Sequence, residues 1–302
     1  MTRAIVDQDI TPTDRLTRQL PDDWEISVGV PGEESALLDA VEGVDIAFVT
    51  SRVPMTRAVI ERATDLDIVA KLGTGIDSVD LDAARACDVT VTHTPGHNAL
   101  SVAEHALGLT LATARRLTEA RTLLEAGKWR DDYTLGTRLS GSTVGVVGFG
   151  NVGKRVGTLL AGFDVDLLLT DPYVPTIDAE LAGGELVDLD HLLVESDVVV
   201  VTAELTEETE GLIGEREFGL LKESAILVNT AGGPLVEEAA LLDALRSESI
   251  AGAGLDVFST EPLGADHPLL DIESAVLTPH VAAMTDESRA DTIDQLAANV
   301  LG

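Results

Sequence analysis

The chain has 302 residues, long enough for two domains with separate cores, and its 53 acidic against 20 basic residues leave a formal net charge of −33. Such a field excludes nucleic acid and anionic lipid as partners, and no run of about eighteen apolar residues suggests a membrane span. A single cysteine, Cys87, excludes an internal disulfide and a cysteine-based metal cluster, and no His/Asp/Glu group has ligand spacing, so no metal is expected. Cys87 follows the helix-like residues 81–86 and is expected to be a small buried residue. Only four basic residues are lysine. Few lysines among abundant Asp and Glu point to a halophilic protein, adapted to concentrated salt that screens the self-repulsion. The N-terminus lacks the apolar core of a signal peptide, so a cytoplasmic protein is expected.

In chain order, apolar β-branched runs at 4–7, 24–28, 45–50, 67–72 and 89–93 alternate with helix-forming stretches at 14–20, 33–41, 56–63 and 81–86. That rhythm predicts βαβ units and a parallel sheet covered on both faces. A long helical stretch over 99–127 follows, with Asn98 as its N-cap. The rhythm restarts at Thr143, with strands predicted at 144–148, 165–170, 197–202, 225–229, 250–255 and 275–278. The closing segment, 287–301, is amphipathic and is expected to pack back on the first domain. The fold class is therefore α/β, with two doubly wound parallel-sheet domains.

The restart carries the pattern Gly148-x-Gly150-x-x-Gly153, between a short apolar strand and a helix. A dinucleotide pyrophosphate needs this arrangement: one glycine for the tight turn, one for close approach of the backbone, one for helix–strand packing. The backbone N–H groups of Asn151 and Val152 open the helix and are placed to meet the anion. The next strand ends in Asp171. A carboxylate there accepts hydrogen bonds from both ribose hydroxyls and repels a 2′-phosphate, which favours NAD over NADP.

Six strings in a fixed order resemble the D-isomer-specific 2-hydroxyacid dehydrogenase family, and within it the phosphoglycerate dehydrogenase-like branch. They are Gly73–Asp77 with Val79-Asp80, Asn98–His105, Gly127–Arg130, Val228–Ala231, Leu255–Phe258 with Glu261-Pro262, and Thr278–His280. The resemblance implies a Rossmann NAD-binding domain, residues 98–280, inserted into a flavodoxin-like substrate domain, residues 1–97 plus 281–302, with the active site in the cleft between them. It implies that Thr74, Ala203, Thr230, Ala231, Gly232 and Asp256 line the cofactor channel, with Asp256 on the carboxamide. It makes His280 the acid/base and Glu261 the carboxylate that holds the imidazole and favours its protonated form. It also implies a homodimer acting on a small-molecule substrate, a 2-hydroxy acid or a related hydroxy compound. His93, His97, His105, His191 and His267 lack a matched partner in the pattern and are expected to be structural or solvated. His105 is expected to pack at the domain junction.

Two positions depart from the family pattern. Gly232 stands where the resemblance calls for the arginine that grips the substrate carboxylate, and Thr202-x-Glu204 replaces His-x-Pro. An arginine fork makes bidentate, charge-assisted bonds that glycine cannot imitate. Three alternatives stay open. Arg52 and Lys71 are candidate substitute cations beside Gly75 of the glycine loop; the substrate is something other than a simple 2-keto acid; or the protein binds NAD as a sensor with little turnover.

Overall fold

The computed structural model describes residues 1–302 and divides the chain into two compact units, 1–98 with 284–302 and 99–283. In the first unit the order is β1 (Arg3–Val6), α1 (Thr13–Thr17), β2 (Glu25–Val28), α2 (Glu34–Ala40), β3 (Ile46–Val49), α3 (Arg57–Arg62), β4 (Ile68–Lys71), α4 (Leu81–Ala86) and β5 (Thr90–His93). All five strands are parallel in the order β2-β1-β3-β4-β5. The central strand β3 is buried along its whole length, which is why 46–49 reads as an unbroken apolar run and not as an alternation. Helices α3 and α4 begin at Thr56 and Asp80, whose side chains accept the N–H groups of Val59 and Ala83.

The second unit runs α5 (Ala99–Ala114), α6 (Leu117–Glu125), β6 (Thr143–Val147), α7 (Asn151–Leu160), β7 (Asp166–Thr170), α8 (Thr176–Leu181), β8 (Glu185–Leu186), α9 (Leu189–Glu195), β9 (Val198–Val201), α10 (Glu215–Phe218), β10 (Ile226–Asn229), α11 (Glu238–Arg246), β11 (Gly252–Leu255) and β12 (Ala275–Leu277). Its seven strands are parallel in the order β12-β11-β10-β9-β6-β7-β8. One apolar cluster joins α5 and α7 to one face of this sheet, and a second joins α9 and α11 to the other. The chain then returns to the first unit as α12 (Asp286–Leu301), where Ile293, Leu296 and Ala297 pack with Leu16, Phe48 and Ala70. Arg15 of α1 reaches Asp294 of α12 at 2.7 Å beside that contact.

Two expectations are corrected, and one strand lies outside them. The 99–127 helix is two helices, because Arg116 adopts φ 47 and turns the chain between α5 and α6, its guanidinium paired to the buried Glu119. Cys87 is exposed, because it caps the C-terminus of α4 beyond the buried Ala83–Ala84 face. The two-residue edge strand β8 carries no apolar run and escapes sequence reading.

Candidate functional site

In the second unit β6 lies between β7 and β9, so the strand order reverses there, and open parallel sheets bind ligands beyond the carboxyl ends of their strands at such a reversal. The glycine turn occupies this position. Gly148 has φ 89, and a Cβ on it would stand 2.4 Å from the Cα of Ala203, on the loop after β9. A Cβ on Gly153 would stand 2.2 Å from the carbonyl oxygen of Gly148, so α7 touches the strand end through that glycine. A Cβ on Gly150 would meet nothing within 4 Å. Two directions around the turn are closed by protein, and the third is open for a pyrophosphate. Helix α7 has no side-chain cap, which leaves the first N–H groups, those of Asn151 and Val152, for an anion. Asp171 accepts from the N–H groups of Phe149 at 2.7 Å and Tyr173 at 2.9 Å, one on each oxygen, which fixes its carboxylate against the turn with further lone pairs to spare. The Thr230 hydroxyl is buried without a protein partner. These features fit a dinucleotide.

Gly153→Ala is expected to destabilise the protein by about 1–3 kcal/mol, the usual cost of overpacking, and to weaken NADH binding in step. Denaturant midpoints and NADH titrations measure both effects, and an unchanged protein by both would exclude the close approach described here.

His280 sits just beyond β12 with φ 54, a left-handed conformation rare outside glycine. Its surroundings hold it there. The His280 N–H donates to the Asp256 carbonyl at 2.8 Å, and the Asp256 carboxylate accepts Val281 N–H at 2.9 Å, Ala282 N–H at 2.8 Å and the Thr278 hydroxyl at 2.6 Å. Strain of this kind, about 1–3 kcal/mol, persists only where neighbouring bonds over-determine the backbone. The result is an exposed imidazole whose Nδ1 lies 2.6 Å from Glu261 Oε2, while Glu261 Oε1 accepts the Phe258 N–H at 3.0 Å. Nε2 is left for a substrate oxygen.

Asp256 itself is fully buried and its carboxylate is spent on the 278–282 turn. Through these bonds it anchors the turn that presents His280. His105 on α5, expected to lack a partner, has one: its Nε2 lies 2.9 Å from Thr278 Oγ1 and 3.4 Å from Asp256 Oδ1. His267 likewise pairs with Glu238 at 3.0 Å. The string Thr278–His280 gives Thr278 no role of its own, and Thr202 enters only as the replacement of a histidine. The Thr202 hydroxyl donates to the Gly148 carbonyl at 2.5 Å and so closes the glycine turn. A threonine directly after an all-valine strand was the available signal. Gly232 is extended, at φ −162, and a Cβ there would make only ordinary contacts, 3.5 Å to Leu205 and 3.7 Å to Leu235. Ala231 and Glu204 are exposed beside it.

The remaining candidates lie in the first unit. There the strand order reverses between β1 and β3, and Asp7 and Arg52 follow those two strands. Arg52 pairs with the fully buried Asp7, lies 3.0 Å from Asp9 and donates to the Val30 carbonyl at 3.0 Å. Burial pushes the Asp7 carboxyl up, but the hydrogen bonds of Thr50 and Arg52 outweigh it and hold the group below the usual range. Lys71, at the end of β4, is 2 % exposed and donates to Ser51 Oγ at 2.9 Å and to the Leu72 carbonyl at 3.0 Å. Burial holds its ammonium below the ordinary lysine range, against the pull of Asp77. Arg52 is thus held by Asp7 and Asp9, and Lys71 by Ser51 and a backbone carbonyl. Thr74 and Gly75 are exposed, and the Thr74 carbonyl lies 2.9 Å from His93 Nδ1.

No helix is long and apolar enough to cross a membrane. Residues 107–282 match the NAD binding domain of the D-isomer specific 2-hydroxyacid dehydrogenases. The chain is 39% identical over 265 residues to a D-3-phosphoglycerate dehydrogenase of Archaeoglobus fulgidus, covering 88% of this chain and 50% of that protein. It is 37% identical over 259 residues to a hydroxypyruvate reductase of Thermotoga maritima, covering 85% of this chain and 84% of that one. A solved protein of Thermus thermophilus superposes with a TM-score of 0.90 at 33% identity, over 100% of this chain and 96% of that chain. The chain spans about half the length of the phosphoglycerate dehydrogenases it matches. With the glycine turn, the parallel sheets and these matches in agreement, the chain belongs to the D-isomer specific 2-hydroxyacid dehydrogenase family, and its cofactor is NAD.

Proposed function

We propose that the protein is an NAD-dependent oxidoreductase that interconverts a D-2-hydroxy acid, or a related hydroxy compound, with its keto form. Bound at the glycine turn, NAD supplies or accepts the hydride. His280 gives a proton through Nε2 to the carbonyl oxygen as the carbon is reduced, and removes it in the oxidising direction. Glu261 fixes the tautomer and ring plane of the imidazole through Nδ1. The single observation that supports this reading is the 2.6 Å His280–Glu261 pair on an exposed strand-end loop. The names of relatives support it as well, a hydroxypyruvate reductase and a glyoxylate reductase at 37% identity among them. NADH oxidation in molar salt across a panel of small carbonyl compounds, with wild type and His280→Ala side by side, tests it.

A second reading, an NAD-binding sensor with little turnover, is favoured by one observation, the glycine at position 232. Tight NADH binding with no turnover anywhere on the panel selects it.

The protein is proposed to act as a cytoplasmic homodimer. Between α6 and β6 the chain exposes large apolar side chains, Trp129 at 67% and Leu135 at 90%, and α6 exposes Leu117 and Leu124. Patches of this kind mark interfaces. Trp129→Asp with Leu135→Asp is expected to give a monomer by sedimentation in molar salt, and an unchanged dimer would place the interface elsewhere.

A further inference from the structure

We propose that His105 is a positioning residue for the proton transfer: from α5 it donates a hydrogen bond that locks the 278–282 turn and so aims the His280 imidazole. The inference rests on the acid/base role given to His280 above and deepens it.

The sequence puts His105 where it can act. His105, Leu109 and Thr113 recur every four residues and share one face of α5, while Gly252, Gly254 and Asp256 alternate along β11 and the residue after it and share one face of the sheet. Four helical residues rise about 6 Å and two strand residues about 6.6 Å, so the two series step together. The contacts follow that register. A Cβ on Gly252 would stand 3.0 Å from Thr113 Cγ2, and a Cβ on Gly254 would stand 3.0 Å from Leu109 Cβ. The third rung sets His105 Nε2 3.4 Å from Asp256 Oδ1. The two glycines let α5 lie close on the strand, and that closeness brings the histidine to the carboxylate.

Hydrogen accounting gives the direction of the bond. The Thr278 hydroxyl has one hydrogen, which goes to Asp256 Oδ1 at 2.6 Å rather than to the Leu255 carbonyl at 3.5 Å. His105 Nε2, 2.9 Å from Thr278 Oγ1, therefore carries the hydrogen that the hydroxyl oxygen accepts. Asp256 is fully buried, and its carboxylate also accepts the N–H groups of Val281 and Ala282. A buried carboxylate short of donors is costly, so each donor tightens the hold on the turn.

His280, inside that turn at φ 54, keeps its left-handed conformation only while neighbouring bonds hold it there. Glu261 fixes the ring from the side-chain end, at Nδ1, whereas His105 acts on the backbone that carries the ring. Loss of the His105 donor frees the Thr278 hydroxyl to rotate, slackens the turn and lets the imidazole swing from its aim. A displacement of about 1 Å is enough to cost roughly 10²-fold in rate.

Three variants separate this role from a packing role. His105→Gln keeps an N–H donor at the reach of Nε2, His105→Asn holds the same amide one methylene short of Thr278, and His105→Leu removes the donor and keeps the bulk. Hydride transfer is followed in stopped-flow single turnovers with NADH in molar salt, with hydroxypyruvate and glyoxylate as probes, beside NADH titrations. His105→Leu and His105→Asn are expected to slow it by about 10–10²-fold with NADH affinity within a factor of ~2, and His105→Gln to recover a rate within ~3-fold of wild type. The histidine Cε1–H resonances give a readout free of turnover. Of the six, the one lost in His280→Ala belongs to His280. It is expected to shift or broaden in His105→Asn and to return in His105→Gln. Full rate in His105→Asn, or an unmoved His280 resonance, overturns the proposal, and so does His105→Gln as slow as His105→Asn. A rate loss matched by an equal loss of NADH affinity also overturns it, because that would mark His105 as part of the packing. His105→Asn carries the test if His105→Leu does not fold. If neither probe turns over, or if His280→Ala keeps the rate, the acid/base reading fails, and the resonance alone decides whether His105 holds the imidazole in place.

Discussion

Alanine in place of His280 is expected to lower kcat by about 10²–10⁴-fold while leaving NADH affinity within a factor of ~2, because the imidazole moves a proton in the transition state and touches no part of the glycine turn. The two effects separate because the cofactor features and the acid/base pair stand on different loops: Gly148–Gly153 with Asp171 on one side, Glu261 and His280 on the other. Glu261→Gln keeps a hydrogen-bonding group beside Nδ1 and removes the charge, so a smaller loss is expected, about tenfold. The alanine variant has little effect on stability to confuse the result, since the ring is exposed and its one side-chain bond is to Glu261. Stopped-flow single turnovers with NADH isolate the chemical step. A single-turnover rate for His280→Ala within roughly threefold of wild type would remove the imidazole from the chemistry.

Removal of salt is expected to unfold the protein. The net charge of −33 is spread over a chain whose cations are mostly paired already, Arg3, Arg15, Arg18, Arg57, Arg62, Arg85, Arg121 and Arg216 among them. The surplus carboxylates therefore have no internal counter-charge and repel one another across the surface. At about 1 M salt the screening length is ~3 Å, and each carboxylate is nearly invisible to the next; at about 0.1 M it is ~10 Å, and neighbours interact. Mutual repulsion at low salt acts against the compact state, whose margin over the unfolded chain is only about 5–15 kcal/mol. Loss of the far-ultraviolet signal below roughly 1 M KCl, restored by re-addition of salt, is the expected observation. A melting temperature that does not move on dialysis to low salt would show that the acidic surface has another origin.

The secondary structure was legible because buried parallel strands announce themselves. Residues 198–201 are four valines, all buried, and 226–229 is another apolar run buried throughout. The glycine turn was equally legible, since Gly148 and Gly153 answer to steric demands within a few residues of the strand that precedes them. What failed to show were features set by partners far along the chain. Asp256 sits in a family string, but the string gives no sign that its carboxylate accepts backbone N–H groups twenty-five and twenty-six residues away, at Val281 and Ala282. Nothing in the sequence around Arg52 announces Asp7, forty-five residues before it, as its partner. The break at Arg116 was hidden because helix propensity runs on through the turn, while a buried Glu119 paired to its guanidinium accompanies the change of direction.

Composition, strand periodicity and glycine spacing are local properties, so the number of sheets, the dinucleotide turn and the excess of negative charge could be read from the order of residues alone. The conformation and accessibility of each polar side chain depend on which distant groups folding brings beside it. Folding set His280 in a left-handed turn anchored by Asp256, put Glu261 at its Nδ1, and buried Lys71 and the partner of Arg52, because burying a charged or polar group demands partners that the chain supplies only once its strands have been brought together.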